Sequence, residues 1–180
     1  MTLLEVVLYI GMLMIVLPAM VMFVFHLQGQ QGLFDARMRM GQSAEAVRGV
    51  LTDTLVSADA IRTSTSTLGV NPSTLRLMDV DGVTVIIDCP TVSVTFPSGN
   101  AHDVRRLRMQ IGAADPVYLT DTDIDVTSWR VDVVRDSASV LTGLRVNLAF
   151  AMVTPTAGVL REATFSGTTT FDLSSQTIEN

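Results

Sequence analysis

The chain is 180 residues long, the size of one ordinary domain, and 48% of it is hydrophobic while only 17% is charged, against a typical charged share of about 25%. That balance is too apolar for a disordered chain, and the net charge of −6 argues against binding nucleic acid through the overall field. The single cysteine, Cys89, excludes an intramolecular disulfide and a cysteine-built zinc site, and all 12 basic residues are arginine.

From Val6 to Phe25 the sequence reads VVLYIGMLMIVLPAMVMFVF, 20 residues without a charge. A helix of that length spans about 30 Å, the thickness of a bilayer's hydrocarbon core. A secretory signal peptide would carry a basic front region and a small-residue exit. Neither is present, so the segment reads as a single membrane anchor. Two features are unusual for an ordinary anchor. Glu5 stands at the front edge of the apolar run, where a carboxylate costs up to roughly 2.5–3.5 kcal/mol at membrane depth and less near the interface. It is either a helix N-terminal acid favoured by the macrodipole and wetted at the headgroups, or the acceptor of a positive charge from another copy of the chain. The candidate cation is the α-ammonium of Met1, the only one before Arg37. The second feature is topology. Arg37, Arg39 and Arg48 lie downstream and no arginine lies upstream, which by the positive-inside bias would leave the C-terminal part in the cytoplasm. A basic segment removed from in front of Met1 would restore the opposite orientation, so Met1 is expected to be a processed N-terminus.

The run Met1-Thr2-Leu3-Leu4-Glu5-Val6-Val7, followed by an apolar helix, resembles the mature N-terminus of type IV pilins and pseudopilins. The resemblance covers about 25 residues. It implies that the precursor is cut by a prepilin peptidase, that the Met1 amine is N-methylated, and that Glu5 serves in assembly. Met1 stands where the family usually has phenylalanine, and Pro18 lies one turn earlier than in most members. Pro18 cannot donate to the carbonyl of Met14, and Gly11 adds a second weak point, so the interval between them is where the helix would kink or unwind. Seven of the ten methionines fall in the first 40 residues, which suits packing against neighbouring helices and lipid alike.

Beyond the anchor, apolar or small residues recur at Met40, Ala44, Val47, Leu51, Leu55, Ala58 and Ile61, in steps of three and four. The spacing predicts one long helix over residues 2–62, apolar all round in front and on one face behind. Thr63–Thr67 is a hydroxyl-rich loop, a plain linker or, outside a cell, a carrier of O-linked sugar. Asn71-Pro72-Ser73 is not an N-glycosylation acceptor, because proline occupies its middle position. From Ser73 onward the period is two. Leu75–Val80 and Val83–Ile87 flank Asp81-Gly82, a two-residue hairpin signal. Further strands are expected at Thr91–Phe96, Val104–Ile111, Asp125–Val134, Leu144–Val153 and Ala163–Leu173. The predicted fold class is therefore α+β: a long N-terminal helix, membrane-spanning in its front half, packed on a mostly antiparallel sheet, with divisions at residues 1–27, 28–62 and 63–180. The stretch from Val117 to Val131 is similar to the globular domain of the W/J-type minor pilins and pseudopilins. The family's usual C-terminal disulfide loop cannot form here.

Candidate sites are few. Asp121, Asp123 and Asp125 alternate, and Asp132 falls at the twelfth position of a calcium loop, although Val126 replaces the required glycine. The alternative is an acidic loop running into a strand edge. Arg105, Arg106 and Arg108 form the one basic cluster, expected as a solvated, edge-protecting face rather than a patch for DNA or lipid. His26 and His102 are far apart, and no nucleophile motif, phosphate loop or metal-spaced pair accompanies them. Trp129 and Tyr118 read as core or interface aromatics, and Cys89 as a buried thiol. No cofactor and no catalysis are expected.

The sequence reading is thus a pilin of a type IV pilus-like filament on a bacterial surface, held in the cytoplasmic membrane before assembly and serving attachment or motility. Identical chains polymerise through the N-terminal helix, and the resemblance implies a prepilin peptidase and pilus assembly machinery as partners. Two competitors stand beside it: a minor pseudopilin at the tip of a secretion or uptake machine, and a bitopic surface protein that binds a ligand and never polymerises.

Overall fold

The apolar run and the amphipathic stretch behind it form one helix, α1 (Leu3–Ser57), and every later element is a strand. The computed structural model describes residues 3–96, 99–137, 141–153, 160–172 and 177–179, and the chain divides into two units, Met1–Ala36 and Arg37–Asn180. In the first unit α1 is helical without a break through Gly11 and Pro18. Its segment Glu5–Leu27 is long and apolar enough to cross a membrane, and none of it is buried.

In the second unit the remainder of α1 buries Met40, Ala44, Val47, Leu51 and Leu55, the stripe expected from the spacing. The helix ends at Ser57 rather than at residue 62. Its last turns are rich in Thr and Ser. Thr52 and Thr54 hydroxyls donate to the carbonyls of Arg48 and Val50, a back-bonding that weakens a helix. Ala58–Arg62 then becomes β1, inside a six-stranded sheet. Ala58 and Ile61 are buried there, as they would have been on a helix, so the apolar spacing alone could not distinguish the two.

The six-stranded sheet runs β11 (Thr177–Glu179), β1, β2 (Leu75–Asp79), β3 (Thr84–Asp88), β6 (Arg108–Ile111), β7 (Val117–Tyr118). All its neighbours are antiparallel except β1 and β11, which run parallel. The turn between β2 and β3 holds three residues, Val80-Asp81-Gly82, rather than two. Gly82 donates to Asp79 O and Asp79 N–H to Val83 O, with Gly82 at φ 73°. That is the three-residue hairpin closed by a left-handed glycine. Val104–Ile111 is not one strand. It breaks at Arg106-Leu107 into β5 (Ala101–Arg105), which pairs with β4 (Thr91–Thr95), and β6, which joins the large sheet.

The last sheet is β10 (Leu160–Asp172), β9 (Leu141–Val153), β8 (Ile124–Arg135), antiparallel throughout. In β8 the register slips at Thr127, so buried positions change parity from Ile124 and Val126 to Trp129 and Val131. A bulge of this kind lets both halves of a 12-residue strand face one core. Trp129 and Phe150, both fully buried, anchor that core. The fold is α+β, as the change of period from helical to two implied.

Candidate functional site

The most conspicuous surface belongs to the first unit. Eighteen large apolar side chains from Val6 to Leu27 are exposed, and their burial is worth tens of kcal/mol at about 1.5–3 kcal/mol each. Soluble proteins do not leave such a continuous apolar surface to water. Glu5, at the start of this surface, is exposed. Met1, its expected partner in another copy, lies outside the described residues. Gly11 has open space where a Cβ would be, so nothing in the single chain requires a glycine there.

In the second unit the acidic residues do not converge. Asp123 lies 3.7 Å from Arg39 of α1, and Asp125 accepts from the Arg105 backbone N–H at 2.8 Å. Asp132 accepts from Arg130 Nε at 2.8 Å and from Asn147 Nδ2 at 3.1 Å. Asp121 is exposed beside an open pocket shared with Arg39, Gln42 and Leu119. Among the described residues no three His, Cys, Asp or Glu side chains gather as metal ligands. Asp123, Asp125 and Asp132 thus each serve a separate structural contact.

The arginines depart from the solvated edge expected of them. β6 lies between β3 and β7 and is not an edge at all. Arg108 makes a two-pronged ion pair with Asp88 of β3, Nε to Oδ1 at 2.7 Å and Nη2 to Oδ2 at 3.0 Å, and this hydrogen bonding raises its pKa further. Arg106 donates to the carbonyl of Thr120 and lies 4.1 Å over the Tyr118 ring. Arg105 donates to the carbonyl of Thr127, the bulged residue of β8, at 2.6 Å. All three tie loops and sheets together. Cys89 is buried, and desolvation pushes its thiol up to about 12, against a smaller opposing pull from Arg105. It is neutral and unreactive at ordinary pH. His26 is exposed on the first unit, while His102 packs at a tilt against Phe96 with ring centres 5.8 Å apart.

Sequence reasoning missed two features. The loop Gly69–Ser73 lies along the outer edge of β8 like an extra strand. Gly69 N–H donates to Val131 O and Ser73 N–H to Trp129 O, while Trp129 N–H donates to Asn71 Oδ1 and Val131 N–H to Ser73 Oγ. The Asn-Pro-Ser stretch had the residues for it, since Asn and Ser side chains can replace a strand's backbone groups. The second feature is a cavity of about 180 Å³ between α1 and the β9–β10 sheet, with Ala44, Leu51, Val146, Leu148, Phe165 and Phe171 among its walls. Only distant pairing brings those residues together. Comparison with known proteins gives no match, whether by family model, among curated proteins or among solved structures.

Proposed function

We propose that this chain is a structural subunit of a type IV pilus-like extracellular filament, polymerising through α1. One observation carries the reading: a helix apolar over Glu5–Leu27, with none of it buried, opens on an acid within the motif Thr2-Leu3-Leu4-Glu5. A surface of that size must be covered by lipid or by protein. In the proposed cycle the cytoplasmic membrane covers it first. Assembly then replaces lipid with the same helix of neighbouring copies. Lipid tails are as apolar as leucine, so this exchange is driven by close packing and polar pairing rather than by the hydrophobic effect. Glu5 supplies the polar pair. Between helices its carboxylate takes as counter-ion the amine that the family's prepilin peptidase frees at the residue-1 position, here Met1. Contacts repeated from copy to copy without closing generate a helical fibre. The sheet-bearing unit then forms the filament's outer surface, which serves attachment or motility outside the cell.

The stretch Val117–Val131, in β7 and β8, favours a second reading as a minor pseudopilin that caps a related filament. The test is electron microscopy of filaments from cells producing the chain, with Glu5→Ala in parallel. The proposal expects filaments built mainly of this chain, and a Glu5→Ala chain that inserts in membrane but assembles poorly. A chain found only at filament tips would select the second reading. Unimpaired Glu5→Ala filaments would remove the charge-pairing role.

A further inference from the structure

The three-stranded sheet ends on a long strand, β10. β10 pairs with β9 in unbroken register from Thr164↔Ala151 to Asp172↔Gly143, and no described strand lies on its other side. An open edge is a row of unpaired N–H and C=O groups that another strand can complete, and folds normally blunt it with charge, proline or brevity. The other edges here are blunted. Gly69–Ser73 covers β8 at Trp129–Val131, β7 is two residues long, β11 is three, and β4 and β5 are five each. β10 carries Arg161 and Glu162 at its start, but from there it runs Thr164-Phe-Ser-Gly-Thr-Thr-Thr-Phe-Asp172, nine residues with no proline and no charge before the last.

The order of those residues identifies the occupant. Around Thr168 the segment is nearly palindromic: Phe165 mirrors Phe171, Ser166 mirrors Thr170, Gly167 mirrors Thr169. A contact between identical chains about a two-fold axis sets each residue opposite its mirror position, and a near-palindrome then meets like with like. Residues also alternate by face. Thr164, Ser166, Thr168 and Thr170 are exposed, whereas Phe165, Gly167, Thr169 and Phe171 are half-buried on the side of the cavity under α1. Antiparallel pairing about an axis normal to the sheet keeps each face in common. It sets Phe165 opposite the other copy's Phe171, twice, and outside it sets Ser166 opposite Thr170 and Thr168 opposite the other copy's Thr168. Aromatic and Thr–Thr or Thr–Ser pairs are among the stabilising cross-strand pairs.

We propose that β10 is a self-association edge, through which two copies of this chain pair antiparallel over Thr164–Asp172 with the two-fold axis at Thr168. The pairing joins two three-stranded sheets into one of six and covers the half-buried Phe165 and Phe171 of both copies. It does not depend on the filament reading. Within a filament of identical chains a two-fold contact closes on itself, so it would link one filament to another rather than successive subunits.

Cysteine cross-linking of the full chain in detergent tests the register, in a Glu5→Ala background so that polymerisation has no part in the result. Paired residues sit about 4.5–5.5 Å apart at Cα, within the span of a disulfide. Native Cys89 is buried and does not compete. Thr168→Cys is expected to give a covalent dimer under mild oxidation at least about tenfold faster than Thr65→Cys in the exposed loop, because pairing holds the two sulfurs at high effective concentration. Mixed Ser166→Cys and Thr170→Cys chains are expected to cross-link to each other faster than either does to itself. Thr168→Cys no faster than Thr65→Cys would overturn the pairing, and a fast Thr168→Cys without the mixed 166–170 product would overturn this register. Filament formation by the parent chain is a separate readout, so failure of one proposal leaves the other standing.

Discussion

Ser73 is 1% exposed, and its hydroxyl does two jobs at the edge of β8. It donates to the Val70 carbonyl at 2.6 Å and accepts from the Val131 N–H at 3.0 Å. Ser73→Ala deletes that one oxygen and leaves the backbone bond from Ser73 N–H to Trp129 O in place. Val131 is fully buried, so its N–H is stranded without an acceptor. A stranded buried donor costs about 1–3 kcal/mol, and the lost bond to Val70 adds about 0.5–1.5, so a loss of about 1.5–4.5 kcal/mol is expected. At a urea slope of about 2 kcal/mol per molar, that lowers the unfolding midpoint by about 1–2 M. Trp129 is the only tryptophan, is buried, and lies on the same strand, so its fluorescence in detergent reports the event locally. Thr65→Ala, at an exposed hydroxyl, should change the stability by no more than about 0.5 kcal/mol. If Ser73→Ala unfolds at the same urea concentration as Thr65→Ala, the loop does not hold the β8 edge as argued.

Gly143 faces Asp172 across β9 and β10, and a Cβ there would stand 2.6 Å from the Phe171 carbonyl oxygen, which is backbone and cannot turn aside. Gly143→Ala should cost at least about 2 kcal/mol in the same urea assay, and an unchanged midpoint would show that the strands separate freely there. The Cys89 thiol, raised to about 12, should resist a thiol reagent at pH 8 until the sheets unfold; rapid labelling of the folded chain would contradict its burial. Its linkage has a definite sign. The unfolded thiol loses its proton near pH 9 while the folded one keeps it, so the contribution is complete below pH 9 and declines by at most about 1.4 kcal/mol per pH unit up to about 12. Cys89→Ala should remove that alkaline slope, and equal slopes in both chains would rule the linkage out. Asp88→Asn should destabilise the β3–β6 pair by about 1–3 kcal/mol, because Arg108 loses a two-pronged carboxylate. No change in the urea midpoint would mean that the ion pair is solvent-screened.

How much of this was legible in the sequence follows from which interactions are local. The apolar run, the buried stripe from Met40 to Leu55, and the strands at Leu75, Thr91, Asp125 and Leu144 write their period directly into consecutive residues. The helix end at Ser57 did not, since Ala58 and Ile61 fit a buried helix face and a bulged strand equally well. Arg105, Arg106 and Arg108 misled for a different reason. Their partners Thr127, Thr120 and Asp88 are 14 to 22 positions away, and only the strand's interruption at Arg106-Leu107 turns the three guanidinium groups toward them. The aspartates looked like a ligand row because alternation in sequence does not reveal that Asp123 meets Arg39 while Asp132 meets Arg130. Glu5 was conspicuous from the start, because an acid bordering twenty apolar residues contrasts with its surroundings.

A high-resolution electron cryomicroscopy map of filaments assembled from the chain tests the central claim most directly. The account predicts Val6–Phe25 packed against the same segment of neighbouring copies, with each Glu5 carboxylate within about 4 Å of another copy's residue-1 amine, the reach of an ion pair. A map that placed Glu5 against water or lipid, with no amine of a neighbouring chain beside it, would contradict it.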